Sequence, residues 1–304
     1  MDTLQAMRLF ARVVEMRSFS AVARAEKTTQ PTVSKTIAGL ERTLGVRLIE
    51  RSTTSLAPTD EGQRFYLRCK QLAEDYDAAV ADVRGQTQNL VGVLSVSAPL
   101  GLGELYLNGL VIAFLGKHPD IQVELILNDR IIDLVEEGID VAIRLGGQLP
   151  PNVIARPVAT FPRVLVAAPG YLDRAPPLLR PEDLGTHQYI RFARLDPGRE
   201  LTFTGPDTGT ENTVTVRVDG RYQVNSSLAL RHCFLEGVGL GSAPAWLVQD
   251  LVDDGRLVRL LADWDLPPQP VHLVYPSRRN QPLRVTAFLQ FMTEEIRRLP
   301  GVKS

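Results

Sequence analysis

Apolar side chains recur at helical spacing through the first part of the chain. Within residues 4–16 one stripe is apolar, made of Ala6, Leu9, Phe10, Val13 and Val14. This spacing predicts an amphipathic helix. "SFSAVARAEK" follows, with Ser20 as the predicted N-cap of a short second helix. Thr28 or Thr29 then caps a third helix, whose first turn tolerates Pro31 because its N–H groups are unpaired there.

The third helix has two unlike faces. Its apolar positions form one ridge at about 100° per residue. The ridge consists of Val33, Ile37, Leu40 and Leu44. The opposite face is slim and polar, and it consists of Pro31, Lys35, Ala38 and Arg42, flanked by Thr32 and Ser34.

This polar face has the properties that a DNA major groove requires. Ala38 and Gly39 permit close approach, and Gln30, Thr32 and Lys35 place polar groups and a cation near the helix N-terminus. Taken alone, the helix also fits a small three-helix unit whose exposed face is polar only because it is solvated.

The next segment predicts a basic hairpin. "VRLIERSTTSLAPTDEG" reads as two short strands around Arg51, which can contact phosphate groups beside the groove. Up to Arg64 there are ten basic and seven acidic residues, whereas the formal net charge of the whole chain is -1. The concentration of positive charge in this segment favours the DNA-binding interpretation.

A long helix is predicted from Thr59 to about Gly85. Its apolar positions step four, three, four, three and four residues: Phe65, Cys69, Leu72, Tyr76, Ala79 and Val83. Such a heptad seam must be buried, either against its own domain or against a second copy of the chain. We expect the seam to be buried against a second copy of the chain. Within the seam, Cys69 is expected to be a buried and unreactive side chain.

The remainder alternates between strand-like and helix-like segments, with a linker near residues 85–90. "GVLSVSAP" and "IQVELILND" read as strands, followed by the helix-like "LGELYLNGLVIAFLGKHP" and "RIIDLVEEG". The alternation predicts an α/β domain with a largely parallel sheet. The final strand "PVHLVYP" and the last helix are expected to return to the first lobe.

Composition and motifs exclude several classes of function. The N-terminus lacks a secretory h-region, no apolar run reaches the roughly 20 residues of a membrane span, and two cysteines form no disulfide framework. We therefore expect a cytoplasmic protein with no membrane partner. No nucleophile elbow, phosphate loop or metal-ligand spacing occurs, so neither an enzyme nor a cofactor is expected. Redox sensing at Cys233 would need a partner thiol in its own domain, and Cys69 lies in the long helix.

The N-terminal motifs resemble the winged helix-turn-helix of the LysR-type transcriptional regulators. The matching stretches are "FARVVEMRSFSAVARAEKTTQPTVSKTIAGLERTLGVRLIERS" and "LAPTDEG". The pair Ile49–Glu50 departs from the more usual Phe followed by a variable residue. The resemblance implies that "QPTVSKTIAGLE" is the recognition helix. The DNA-binding residues would then be Ser20, Thr29, Gln30, Pro31, Thr32, Ser34, Lys35 and Arg51.

The resemblance also implies an α/β multidomain fold in three parts. These are a winged helix-turn-helix over residues 1–58, a linker and dimerisation helix over 59–90, and a periplasmic-binding-protein-like effector domain over 91–304. Lobe I of that domain would hold about 91–161 and 268–304, and lobe II about 162–267.

Open α/β sheets bind ligands at the carboxyl ends of their strands. Helix starts near Pro99 and Asn225 would favour a small anion, and Arg144 could pair with it. The alternatives are ordinary helix caps for Ser97 and Asn225 and a surface ion pair for Arg144. The predicted effector-binding residues are Ser97, Ala98, Pro99, Leu100, Asn128, Arg144, Phe161, Arg191, Phe203, Asn225 and Ser226.

The sequence thus predicts a regulator that binds promoter DNA as a homodimer or homotetramer and responds to a small anionic effector. RNA polymerase would be a further partner if the protein activates transcription. The alternatives are an enzyme with an accessory DNA-binding domain and an architectural DNA-binding protein without an effector.

Overall fold

The computed structural model describes residues 2–51, 56–83, 90–130, 132–146, 149, 153–193, 199–205, 213–277 and 281–302. Side chains are outside the described part for Arg51 and for residues 71, 74, 75, 78, 79 and 81–83. The chain forms an N-terminal domain, a long helix and an α/β sensor domain whose first strand is Gly92–Ala98.

The N-terminal domain is the predicted winged helix-turn-helix. Three helices precede a two-stranded antiparallel hairpin and the long helix. Their bounds are α1 (Thr3–Met16), α2 (Phe19–Ala25), α3 (Gln30–Leu44), β1 (Ile49–Arg51), β2 (Leu56–Pro58) and α4 (Asp60–Val83).

The cap of α2 differs from the prediction. Ser18, not Ser20, is the N-cap, and its Oγ accepts the N–H of Ala21 at 3.2 Å. The helix begins early enough to include Phe19, which is buried in the domain core, whereas Ser20 is exposed. The cap of α3 is Thr29, one of the two predicted residues.

The ridge of α3 is buried over its first three positions. Val33, Ile37 and Leu40 pack with apolar residues of α1 and α2 in one core. Leu44 was predicted to continue this ridge, but its side chain is 39% exposed. The helix ends at Leu44, and Gly45 at φ 72° turns the chain away, so the end of the ridge extends beyond the core.

The seam of α4 divides between two environments. Cys69 is fully buried and Phe65 packs on Phe10 with ring centroids 5.7 Å apart, both within the N-terminal core. Cys69 is therefore buried by its own domain, and its assignment to a dimer interface was wrong, whereas Phe65 is half-buried and its assignment stays a prediction. Leu72 and Tyr76 remain 48% and 54% exposed, and the side chains of Ala79 and Val83 lie outside the described residues.

The sensor domain is built on one seven-stranded sheet, with strand order β11-β6-β13-β5-β3-β4 and β12 also paired to β6. Its strands are β3 (Gly92–Ala98), β4 (Ile121–Leu127), β5 (Val141–Leu145), β6 (Val153–Ala167), β7 (Arg191–Phe192), β8 (Glu200–Thr204), β9 (Thr213–Arg217), β10 (Gln223–Val224), β11 (Gly241–Pro244), β12 (Val258–Leu260) and β13 (Leu266–Pro276). Its helices are α5 (Leu100–Leu102), α6 (Asn108–Lys117), α7 (Pro169–Leu172), α8 (Ser227–Leu235), α9 (Ala245–Asp253) and α10 (Leu283–Ile296).

Two long strands, β6 and β13, connect the lobes. They pair with each other along their lengths, while β6 also binds β11 and β12 of the second lobe and β13 binds β5 of the first. One hydrophobic core consequently extends through both lobes. Helix α10 packs on α6, with Phe288 edge-on against Phe114.

Two parts of the sensor differ from the predicted alternation. Residues 134–138 form turns instead of the helix suggested by "RIIDLVEEG". The hairpin of β8 and β9 was not predicted, and neither was the length of β6. Among the described residues of "RIIDLVEEG" only Leu134 is deeply buried, so these residues lack the apolar face that stabilises a helix.

The chain is helical without a break from 100 to 117, because a π-helical turn (Gly103–Leu107) joins α5 to α6. This stretch of 18 residues has a mean hydropathy of 1.2, so by length and composition alone it would allow a membrane span. Its side chains Leu102, Leu107, Val111 and Phe114 pack in the sensor core, as in a core helix.

We expect Gly62→Ala to destabilise the N-terminal domain by about 1–3 kcal/mol, because overpacking forces the backbone to move. A Cβ at this position would lie 2.0 Å from the carbonyl oxygen of Leu48, where α4 crosses the hairpin. Denaturant unfolding measures the change. Gly116→Ala is the control, because a Cβ at that helical glycine has nothing within 4 Å. Equal stability of the two variants would contradict the close approach.

Candidate nucleic-acid interface and effector cleft

The N-terminal turn of α3 presents polar groups on a fixed backbone. Oγ1 of Thr29 accepts the N–H of Thr32 at 3.3 Å, and the two threonine hydroxyls lie 2.8 Å apart. Gln30, Pro31, Thr32 and Lys35 are exposed, whereas Ser34 is half-buried. Apart from Ser20 and Arg51, the predicted DNA-binding residues therefore share one end of one helix.

Glu41 fixes the hairpin against α3. Its Oε1 accepts the backbone N–H groups of Leu48 and Ile49 at 2.9 and 3.1 Å, immediately where β1 begins. Thr59 closes the other side of the hairpin, since its hydroxyl donates to the carbonyl oxygen of Arg47 at 2.8 Å. The position of the hairpin relative to α3 is thus set by hydrogen bonds and by the buried side chains of Leu48 and Ile49. Arg51 ends β1, and the hairpin tip at 52–55 lies outside the described residues.

Ser97 and Arg144 meet inside the sensor. Nη2 of Arg144 donates to Oγ of Ser97 at 3.0 Å. Ser97 is 0% exposed and Arg144 is 7% exposed. The alternative of a surface ion pair for Arg144 is therefore wrong. Because side chains alternate along strands, this pair lies on the sheet face opposite Val96 and Ile143. That face carries a second, smaller apolar cluster around Leu134 and Ile139.

An internal carboxylate occupies the start of the 100–117 helix. Oδ1 of Asp129 accepts the N–H of Leu100 at 3.3 Å, while Pro99 precedes the helix without a side-chain cap. Asn128 shapes the turn that places this carboxylate: its N–H donates to the carbonyl oxygen of Ala98, and its Oδ1 accepts the N–H of Arg130. Asp129 was not predicted, although an acid directly after a strand end was a usable signal.

The two predicted helix starts lie together. Ser226 is the N-cap of α8, with its Oγ 3.4 Å from the N–H of Ala229, and the preceding Asn225 is exposed. A Cβ at Gly101 would lie 1.9 Å from Oγ of Ser227, so only glycine permits this contact. The structure thereby brings the first turn of α8 against the first turn of the 100–117 helix.

Aromatic and amide side chains lie on and beside β6 and β13, the two strands that connect the lobes. Phe161 lies opposite Gln269 in the pairing of β6 with β13, and its ring centroid is 6.4 Å from that of Trp246. Nε1 of Trp246 donates to Oε1 of Gln269 at 3.3 Å. Phe161 itself is fully buried. Trp246 and Gln269 were not predicted, since nothing local distinguishes them before the two strands are known to pair.

Of the remaining predicted effector-binding residues, Phe203 packs in another core and Arg191 is half-buried. Phe203 packs with Leu165 and Tyr189 in a separate core of the second lobe. The neighbours of Leu165 in β6, Val164 and Val166, face the main core, so Phe203 lies on the opposite side of the strand and does not line the cleft. Arg191 is half-buried beside Gln223, and its Nε has no hydrogen-bond partner among the described residues.

Burial suppresses the chemistry of both cysteines. It raises the pKa of the Cys69 thiol to about 12, and burial is also the main cause of the raised pKa of Cys233. A thiolate is the reactive form of cysteine, so neither environment favours redox sensing. The described residues contain no group of three His, Cys, Asp or Glu side chains that could hold a metal ion.

Comparison with known families decides the class of the protein. The profile described as the LysR substrate binding domain matches residues 87–297. The profile of the bacterial regulatory helix-turn-helix protein, lysR family, matches residues 4–63. The chain belongs to the LysR family of transcriptional regulators.

Individual relatives of this LysR-type regulator agree over nearly its whole length. The transcriptional regulator PtxR of Pseudomonas aeruginosa is 34% identical over 291 residues, 96% of this chain and 92% of PtxR. The full-length Vibrio cholerae virulence activator AphB is 29% identical with a TM-score of 0.60, covering 96% of this chain and 98% of AphB. CrgA of Neisseria meningitidis is 28% identical with a TM-score of 0.59, covering 96% of this chain and 98% of CrgA.

These matches confirm a DNA-binding transcriptional regulator with an effector-binding domain. They also confirm that the protein belongs to a family of regulators and not of enzymes. The boundaries at residues 58 and 90 stay predictions.

Proposed function

We propose that this LysR-type regulator reads a specific promoter sequence as a homo-oligomer, and that a small carboxylate-bearing effector changes this binding. The observation that carries the proposal is the exposed polar N-terminal turn of α3, held rigid by its buried ridge and by Glu41.

In this proposal α3 enters the major groove. Gln30 and Thr32 can exchange hydrogen bonds with base edges, and Lys35 adds a cation that binds guanine or phosphate. The hairpin beside the groove would position the domain through phosphate contacts, which carry little sequence information. Arg51 is the proposed phosphate-binding residue of the hairpin.

Pairing of two chains would give two reading helices. The exposed apolar side chains of Leu72 and Tyr76 on α4 support such pairing, and Arg8 of α1 lies 5.9 Å from the centre of the Tyr76 ring. Two paired domains would read half-sites separated by about one turn of DNA, or a multiple of it. The assembly is then a homodimer or a homotetramer, which acts in the cytoplasm and contacts RNA polymerase if it activates transcription.

The proposed effector site lies where the two helix starts meet. Their free N–H groups and dipoles favour a negative charge. The carboxylate of Asp129 already accepts one of these N–H groups, which supports a carboxylate-binding role for this position. An effector carboxylate would replace Asp129 there, with the buried charge of Arg144 behind it on the other face of the sheet. The effector would act only through a difference in affinity between two arrangements of the lobes.

We expect Lys35→Ala to weaken binding to a specific operator by about 1–3 kcal/mol, the usual value of one base contact. A gel-shift titration at fixed salt measures this loss. Arg221→Ala is the matched control, because it removes one exposed positive charge from the sensor domain instead. If both variants keep wild-type affinity, α3 does not read the groove with Lys35.

We expect Asp129→Asn to increase the stabilisation of the protein by small carboxylic acids. The asparagine keeps an oxygen acceptor for Leu100 but removes the competing charge, so the gain in affinity would be roughly tenfold for about 1.4 kcal/mol. The measurement is the rise in melting temperature with a panel of mono- and dicarboxylates.

The amide of each acid is the chemical control in that panel. If amides stabilise both proteins as well as the acids do, the effector is not recognised as an anion. If acids stabilise both proteins equally, the anion binds elsewhere and Asp129 does not compete with it.

A further inference from the structure

The turn at residues 134–138, called the sensor turn below, has a fixed shape. Oδ1 of Asp133 accepts the N–H groups of Val135 and Glu136 at 2.8 and 3.0 Å. The N–H of Ile139 donates to the carbonyl oxygen of Leu134 at 2.8 Å, which closes the turn. A turn whose shape is fixed in this way can transmit a displacement of the sensor sheet to whatever it contacts.

Both ends of the sensor turn are anchored in the sensor sheet. Leu134 and Ile139 are each 1% exposed and pack with Ala142 and Val274. The next residue, Asp140, accepts the N–H of Ser95 at 3.1 Å, two positions before Ser97. The turn therefore rests on the sheet face that holds the bond between Ser97 and Arg144.

The outer side of the sensor turn meets the long helix. A Cβ at Gly138 would lie 3.0 Å from Cδ2 of Leu67, in the part of α4 that packs on the N-terminal domain. Beside this contact is a hollow of about 390 Å³ with walls from both domains. Its walls consist of Leu44, Val46, Leu48, Glu61, Arg64, Phe65, Arg68, Val135 and Glu136.

The two walls of the hollow are complementary. Leu44 and Val46, which are 39% and 42% exposed, face the same space as Val135. The sensor turn contributes acidic Glu136, whereas α4 contributes the exposed cations Arg64 and Arg68 and one acid, Glu61, which lies 3.4 Å from Arg64. The position of Leu44 in the wall of this hollow also accounts for its exposure, because its side chain borders the hollow and not the N-terminal core.

We propose that the sensor turn docks on the N-terminal domain of its own chain at this hollow and couples the sensor to the recognition helix. Val135 covers the apolar end of α3, and Gly138 lets α4 approach closely. The contact links the sheet face beneath the effector cleft to Leu44, the last residue of α3, without passing through the linker at 85–90. It depends on no particular effector chemistry.

Hydrogen exchange on the full-length protein tests this contact. Val135→Asp places a charge in the space that Val135 shares with Leu44 and Val46, so amide exchange in residues 61–68 and 44–48 should rise by roughly three- to tenfold as local opening becomes easier. The control is Val238→Asp, the same change at a valine that is 48% exposed elsewhere in the sensor domain. Val238→Asp should leave exchange in both segments at the wild-type rate.

A second variant approaches the contact from the other wall. Val46→Asp should accelerate exchange in residues 134–138, while the protection of β3 stays at its wild-type level. Wild-type exchange in 61–68 for Val135→Asp overturns the proposal. If Val135→Asp instead also deprotects β3, the sensor has unfolded and Val46→Asp decides: wild-type exchange at 134–138 in that variant overturns the proposal.

Discussion

The contact on which DNA reading depends is the pair of hydrogen bonds from Leu48 and Ile49 to the Glu41 carboxylate. Glu41 lies on the recognition helix, so these bonds fix the hairpin relative to the face that would enter the groove. The buried ridge of α3 completes the constraint, because it leaves only the polar face exposed. A rigid body of this kind can place base-reading and phosphate-binding groups at one set distance, which specific recognition requires.

The sensor domain has a different organisation, since β6 and β13 belong to both lobes. A change in the angle between lobes must bend or twist these strands, next to Phe161 and Gln269. The same sheet carries Ser97 and Arg144 near the strand ends and the sensor turn on their face. An effector at the helix starts would thus act on a sheet whose far side touches the N-terminal domain.

Local patterns predicted what depends on neighbouring residues. The first three positions of the α3 ridge, the cap at Thr29 and the extent of α4 over Asp60–Val83 follow from spacing and capping chemistry, and the structure has all three. Features that depend on distant partners were missed or misplaced: Cys69 is buried in the N-terminal core, and Asp129, which follows β4, accepts the N–H of Leu100. Phe203 was misassigned for the same reason, because an aromatic side chain in a strand does not reveal which face of the sheet it covers.

The most direct test of the account is the affinity of the full-length protein for DNA upstream of its own gene, against a scrambled duplex of equal length. Both titrations need one physiological salt concentration, because phosphate contacts alone give tight, unspecific binding at low salt. The account predicts a preference of about a thousandfold or more, the range of specific sites. Equal affinity for the two duplexes would contradict sequence reading by α3 at that DNA and would favour a protein that binds only the DNA backbone.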